Sequence, residues 1–528
     1  CGEAWCCVYW PWCWFSNRPL EWGWGRVLLN KGCWLRALVG ELISESPLLG
    51  VFTNYASTVV NYALALAYII LLTRFIPLTQ YGYYNAMLAL LSTVGLFFPT
   101  FGIDNAIARE GAMNHARGGT VYMHYSAMFA LSLTLTLAYS VTGLALIPVF
   151  IRDGVPAWLM GIVAVWAVYT LIQGVNNALN FHLWAVGSVA TQGVGLTLGS
   201  IAFRVIEIAL IVVLRNVYAL AVSYLIGQLT IAAYYMGKVR QWPSLRAGYG
   251  LIRARVKEYV NMGFQYWLAA YLGGISGTLM AYLVFKLLGA SASGIYGLTL
   301  NIIGLVGNFA GSVGAVFGTV ASHGYAVGFD VGSLAKDYSG GYVVVGSILA
   351  LTAILLTPLA PILHIINGAY TAAVPYVMLL FATTPASVVD GVYMMYYWVT
   401  GRGWLAVERS AVGVVASVLT FIALAHLMHL YAVVVANYVG VTLTLILYWL
   451  NNRPWGWRLG AVTALSLAAP MASAILYAVS DPALTWPIPQ LAVLLLFTLI
   501  MLLVKPIPRR LITDAPRRLR VILTPFSR

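Results

Sequence analysis

From about residue 54 onward the chain is a succession of long apolar runs, separated by short polar stretches that hold most of its charge. A helix rises ~1.5 Å per residue and a bilayer's hydrocarbon core is ~30 Å thick, so ~20 apolar residues make one crossing. The pattern predicts spans at 54–73, 83–101, 122–150, 156–175, 187–214, 217–236, 260–285, 295–321, 340–364, 373–398, 408–428, 431–450, 459–479 and 487–504. These runs are apolar on every side, as membrane helices are, and do not show the single apolar stripe of a helix on a soluble core. The expectation is an all-α integral membrane protein of about 14 transmembrane helices.

Composition agrees: of 528 residues 61% are hydrophobic and only 8% charged, against ~25% charged in soluble domains. A formal net charge of +14 would suit nucleic acid binding if a basic soluble domain carried it, and there is none. The charges instead sit in the loops. An even number of spans puts both termini on one side; if that side is cytoplasmic it collects 24 Lys and Arg, against four outside (Arg74, Arg152, Arg215 and Lys286), with Arg204 left within a span. The positive-inside rule then makes both termini cytoplasmic in a multi-pass cell-membrane protein, with membrane lipids as constant partners.

The first 46 residues differ from the rest. All five cysteines and seven tryptophans lie between Cys1 and Trp34, and the first methionine is Met87, within a predicted span. We expect 1–46 to be an upstream extension of the true start, with an interfacial aromatic anchor as the alternative; no Cys-x-x-Cys pair supports a metal site. The expected organisation then runs from a first six-helix half (47–236) through a basic linker (237–259) to a second half (260–450). Two extra helices (451–504) and a basic tail (505–528) follow. In the linker, Leu251 to Lys257 reads either as a helix along the inner leaflet or as a solvated connection.

The two halves share a hairpin. Arg74, Gly82 and Tyr84 are matched by Lys286, Gly294 and Tyr296 at one constant offset of 212, in spans that cross in the same direction. This suggests parallel repeats about an axis along the membrane normal. The stretch from Arg74 through Pro77, Tyr81, Gly82 and Tyr84, followed by Gly102-Ile103, Ala106 and Arg109, resembles the polysaccharide-biosynthesis flippases of the multidrug/oligosaccharidyl-lipid/polysaccharide (MOP) transporter superfamily. Where that family usually has Leu-Gly after the Arg this chain has Phe75-Ile76, while the second copy keeps Leu288-Gly289. The resemblance covers roughly 45–450 and implies a MATE-like transporter fold. It also implies alternating access and, as substrate, a lipid-(pyro)phosphate-linked oligosaccharide moved to the outer face for glycan assembly.

Charges within spans cost ~2.5–3.5 kcal/mol each on insertion scales and call for a reason. Arg204 and Glu207, at i and i+3, are either a cavity-lining pair, with Arg204 on a phosphate and Glu207 carrying a coupling proton, or a buried structural ion pair. Asp390 would bind Na⁺ or a proton, pair with Arg204, or snorkel. Arg74 and Lys286 are symmetric candidates for substrate contact, with snorkelling as the alternative. Asp104 and Arg109, beside Glu110, would form a cytoplasmic gate or a solvated cluster. Asn61 and Gln265, with Gln173, Asn176, Asn177 and Asn301, are candidates for sugar hydroxyls. Gly304, Gly307, Gly311, Gly314 and Gly318 line one helix face for close packing, and Pro99, Pro148, Pro358, Pro361, Pro375 and Pro385 predict bent helices.

No HExxH, Walker A or GxSxG motif is present, and His426 with His429 reads as interfacial, so neither an enzyme nor a bound metal or cofactor is expected. The same fold also hosts cation-coupled multidrug antiporters, the second functional reading. The mix of one Arg with two acids in the spans suits them less well than a purely acidic cavity would.

Overall fold

A computed structural model describes residues 64–98, 100–186, 188–239, 241–326, 330–451, 457–479 and 486–505. Among these residues there is no strand, and the principal helices are α1 (Leu64–Phe75), α2 (Leu78–Gly95), α3 (Ile103–Ala116), α4 (Tyr122–Ala145), α5 (Gly161–Ala185), α6 (Val189–Leu214), α7 (Tyr218–Lys238) and α8 (Leu245–Leu288). They continue as α9 (Ala290–Ala326), α10 (Val331–Leu356), α11 (Val374–Phe381), α12 (Thr384–Val399), α13 (Gly403–Met428), α14 (Tyr431–Asn451), α15 (Trp457–Val479) and α16 (Ile488–Val504). The predicted spans fall on these helices, 373–398 on two of them, and the first only from Leu64 on, since 54–63 lie outside the described residues. Nine described helices are long and apolar enough to cross a membrane, ten if a bent pair counts as one span. The chain is thus a multi-pass, all-helical membrane protein. The 1–46 segment and the 505–528 tail lie outside the described residues, apart from Lys505.

Three of the breaks fall at prolines, while α15 runs through Pro470. Pro375 and Pro385 sit in the first turns of α11 and α12, and the stretch Gly368–Phe381 meets α12 at 46°. Pro148 opens the short helix Ile147–Arg152 just beyond α4. A proline has no N–H to donate, so a helix re-forms from it more readily than it runs through it. Between α2 and α3 the chain turns through Phe101 and Gly102, both at positive φ (49° and 76°).

The hairpin repeat becomes a helix crossing. A Cβ added to Gly82 would lie 1.7 Å from the Ala290 carbonyl oxygen, and one added to Gly294 would lie 2.5 Å from that of Leu78. Ala290 follows Leu78, and Gly294 follows Gly82, by the same 212 positions, so the two contacts are images of each other. The Asn85 amide donates to the Ser293 carbonyl at 3.2 Å, and Asn301 to the Tyr81 hydroxyl at 2.6 Å. The repeated glycines therefore let two backbones meet, with side-chain hydrogen bonds locking the register.

This crossing changes the organisation expected from position along the chain. The described residues fall into two compact units, one of 97–264 together with the chain up to Phe75, the other of Ile76–Leu96 with 265 onward. Helix α2, expected in the first half, thus belongs with α9, because Gly82 and Gly294 hold them together. The first unit's core gathers Ile107, Tyr125, Phe181, Tyr235 and Tyr259. The second gathers Phe317, Tyr338, Tyr393, Tyr397 and Tyr448, and takes Val462 from α15 with Phe497 and Met501 from α16. The last two helices are therefore built into that core. The expected linker is helical from Leu245, where α8 starts a continuous run of 44 residues.

Gly82→Ala would force backbone atoms apart and is expected to lower stability by about 1–3 kcal/mol, the usual cost of overpacking. Gly273→Ala, on α8, meets nothing within 4 Å and is expected to gain up to about 1 kcal/mol from helix propensity. Thermal unfolding of the purified protein in detergent reads both; equal effects would refute the crossing.

Candidate functional site

In the first unit, α6 brings Arg204 and Glu207 onto one face, and Arg204 Nη1 donates to Glu207 Oε2 at 2.6 Å. Glu207 is buried, with 2% of its side chain exposed, while Arg204 keeps 22%. The guanidinium carbon lies 4.9 Å from the ring centre of Tyr68, on α1, and 4.6 Å from that of Phe203. Phe203 packs in turn on Tyr224 of α7, ring centres 4.2 Å apart. The aromatic faces hold the cation by its charge and leave its N–H edges free. Among the described residues Glu207 is the acceptor that takes one of those N–H groups. The pair is thus a neutralised dipole with donor capacity left on its partly exposed end.

The second unit holds a polar cluster that the sequence showed only in part. Asp390, on α12, accepts a hydrogen bond from the Tyr448 hydroxyl at 2.6 Å. Arg409, on α13, is completely buried, and its guanidinium carbon stands 4.3 Å from the Tyr397 ring centre and 5.2 Å from that of Tyr448. Its Nη1 donates to the Leu405 carbonyl of its own helix at 2.9 Å, while Nε and Nη2 have no hydrogen-bond partner among the described residues. Tyr448 therefore touches the acid with its hydroxyl and the base with its face. Arg409, one of the 24 Lys and Arg that the charge count assigns to the cytoplasmic side, lies in the second turn of α13. The available signal was its register, since it shares a buried face with Ala406, Gly413 and Ser417, small residues that mark a packed side of a membrane helix.

A third cluster lies where α3, α4 and α8 begin or end. Glu110 Oε2 accepts from Arg255 Nη1 at 2.6 Å and from the Tyr259 hydroxyl at 2.7 Å, with His124 Nε2 at 3.5 Å. Arg255 also grips both oxygens of Glu258, at 3.0 and 2.9 Å. Burial, aided by its bond to the Glu110 carboxylate, raises the Tyr259 hydroxyl above its ordinary pKa and keeps it a donor. Asp104 sits in the first turn of α3, where a carboxylate suits the helix dipole. One of its oxygens is buried without a hydrogen-bond partner among the described residues. The Arg109 side chain lies outside the described residues, as do Asn61 and the Gln265 side chain. Arg74 and Lys286 are both exposed. Asn176 is engaged with Gln228, at 2.7 Å to its Oε1 and 2.9 Å to its carbonyl, and so ties α5 to α7.

With this geometry in view, likeness to known proteins can be weighed. No protein-family profile matches the sequence, and no curated protein matches it. Solved structures do. The chain is similar to the lipid II flippase MurJ in its inward closed conformation, with a TM-score of 0.61 at 10% identity over 86% of this chain and 98% of that one. It is similar to an inward-facing multidrug-resistance MATE family transporter of the MOP superfamily, at 0.55 and 16% identity over 78% and 99%. It also resembles the eukaryotic MATE transporter AtDTX14, at 0.52 and 17% over 80% and 97%. The fold is that of MOP-superfamily transporters, as the hairpin resemblance implied.

Asp390→Ala would leave the Tyr448 hydroxyl buried without its acceptor and remove the acid that Tyr448 links to Arg409, and an expected loss of about 1–3 kcal/mol follows. Asp390→Asn combined with Arg409→Met removes both ions and is expected to restore most of that. Denaturant unfolding in detergent measures the two; a double variant no better than the single one would mean that the charges do not sense each other.

Proposed function

We propose that this protein is a flippase for a lipid-(pyro)phosphate-linked oligosaccharide, carrying it from the cytoplasmic to the outer face of the cell membrane by alternating access. The observation that supports this most is Arg204: a cation within a membrane span, held by aromatic faces, with one N–H spent on Glu207 and an exposed end that keeps donors for a phosphate. The lipid II flippase MurJ, whose fold this chain shares, is named for work on a lipid-linked substrate. Arg74 and Lys286, both exposed and symmetric in the repeat, are proposed as further anion contacts, and Asn61 and Gln265 as contacts to sugar hydroxyls. Asp104 and Arg109 are proposed as gate residues.

The driving force in this reading has two sources. An inside-negative potential favours outward movement of an anion by ~2.3 kcal/mol per charge per 100 mV. Counter-movement of Na⁺ or H⁺ would use Glu207 or Asp390, each already hydrogen-bonded by a donor that a cation can displace. The second reading, a cation-coupled multidrug antiporter, is favoured by those same two buried acids and by the likeness to MATE transporters. Neither reading involves catalysis.

Proteoliposomes separate the two. Wild-type protein is expected to move a fluorescent lipid-diphosphate oligosaccharide faster under an inside-negative potential and to leave a cationic dye in place. Arg204→Ala is expected to reduce that transport at least about tenfold, the loss of one charge-assisted contact of roughly 1.5–3 kcal/mol, while the protein still inserts. Dye movement without glycolipid movement would replace the flippase with the antiporter.

A further inference from the structure

The segment joining α7 to α8, with the first turns of α8, presents an exposed surface of mixed apolar and basic character. Along the first turns of α8, Leu245, Tyr249 and Val256 recur at spacings of four and seven, and all three are exposed, as is Trp242 just before them, at 70%. One position further round the helix, Arg246, Arg253 and Lys257 recur at spacings of seven and four and are exposed too. An apolar stripe beside a basic one is the pattern of a helix lying along a membrane surface, not of one standing in water. By sequence, Leu251–Lys257 reads as a helix along the inner leaflet or as a solvated connection. In the structure it is helical, with Leu251 and Ile252 packed against the protein core and Arg253, Val256 and Lys257 exposed.

The first turns of α8 are fixed against α4. The Ser244 N–H donates to Ser126 Oγ at 3.1 Å, one turn into α4. A Cβ on Gly248 would stand 2.1 Å from the Ser126 carbonyl oxygen, so the helix lies directly on α4 there. Tyr249 shares a hydrogen bond with Thr134, three turns into the same apolar helix. The charges sort as well. Glu258 and Glu110, the acids of this region, are both held by Arg255. Arg246, Arg253 and Lys257 form no ion pair among the described residues. Arg253 and Lys257 border an open surface recess of about 450 Å³ together with Arg255, Glu258 and Asn261.

We infer that the first turns of α8 bind the anionic phospholipid headgroups of the cytoplasmic leaflet, with Arg246, Arg253 and Lys257 on the phosphates and Trp242, Leu245, Tyr249 and Val256 set below them. The partner is the membrane itself, whatever substrate the protein carries. Arg255 serves this surface indirectly, by taking up the two acids that would otherwise offset it.

The test is lipid binding to the purified full-length protein in detergent, read by native mass spectrometry with phosphatidylglycerol and phosphatidylcholine. A basic residue at an anionic surface is worth about fivefold in binding, so wild type is expected to prefer phosphatidylglycerol at least tenfold. That preference is expected to shrink as salt is raised. Arg246→Gln/Arg253→Gln/Lys257→Gln is expected to lose most of it, whereas Arg255→Gln, which frees Glu110 and Glu258 beside the basic residues, is expected to lose only part of it and to lower the unfolding temperature in either lipid. A salt-insensitive preference in wild type, or one that survives the triple substitution, would overturn the proposal. So would displacement of phosphatidylglycerol by an equal concentration of inorganic phosphate, which would mark a site for free anions.

Discussion

In hydrocarbon a backbone N–H or C=O has no water to turn to, so a chain that crosses it repeatedly must close its hydrogen bonds within each helix. Much of this structure follows from that condition. Helices can then be interrupted only where protein or interface offers other partners, and the interruptions sit at Pro148, Pro375 and Pro385, which lack the donor in any case. Apolar helices surrounded by apolar lipid also gain little from the hydrophobic effect when they meet. What brings them together is shape, and here the closest described approach uses two glycines, Gly82 and Gly294, that occupy equivalent places in a repeated hairpin.

The same medium governs the charges. A lone ion in a span is expensive, and each one described is compensated in its own way. Arg204 is matched within one turn by Glu207 and flanked by aromatic rings. Asp390 and Arg409 are brought near each other through a third residue, Tyr448, which gives its hydroxyl to the acid and its ring to the base. The two arrangements differ in what they leave over. Arg204 keeps an exposed edge that a ligand can reach, whereas Arg409 keeps two N–H groups inside the protein, so that the second unit carries a buried, incompletely satisfied cation. At the end of the spans, water relaxes the condition, and Glu110, Arg255, Glu258 and Tyr259 form an ordinary network that fastens α8 to α3.

The fold and the candidate function connect through this economy of charge. A transporter needs polar groups at membrane depth that are stable when empty yet available to a passing ligand or ion. A carboxylate whose partner is an arginine or a tyrosine hydroxyl meets both demands, because the partner can be exchanged without baring the charge. Conventional core residues surround each pair: Phe203 and Tyr224 by Arg204, Tyr393 and Tyr397 by Tyr448.

Membrane residence, the placement of the helices and the repeated hairpin were legible along the chain, because bilayer thickness fixes run length and a constant offset is visible without any coordinates. So was Arg204 with Glu207, since three residues on a helix always share a face. What position along the chain misassigned was α2, which by contact belongs with residues more than 200 positions away. Hidden too was Arg409, whose role depends on a tyrosine 39 positions further on. The outward face of the first turns of α8 was likewise concealed, because helical periodicity shows that two stripes exist but not which of them the protein covers. Local regularities are written in neighbouring residues; pairings between distant helices are decided by the shapes that meet, and only the assembled structure contains those.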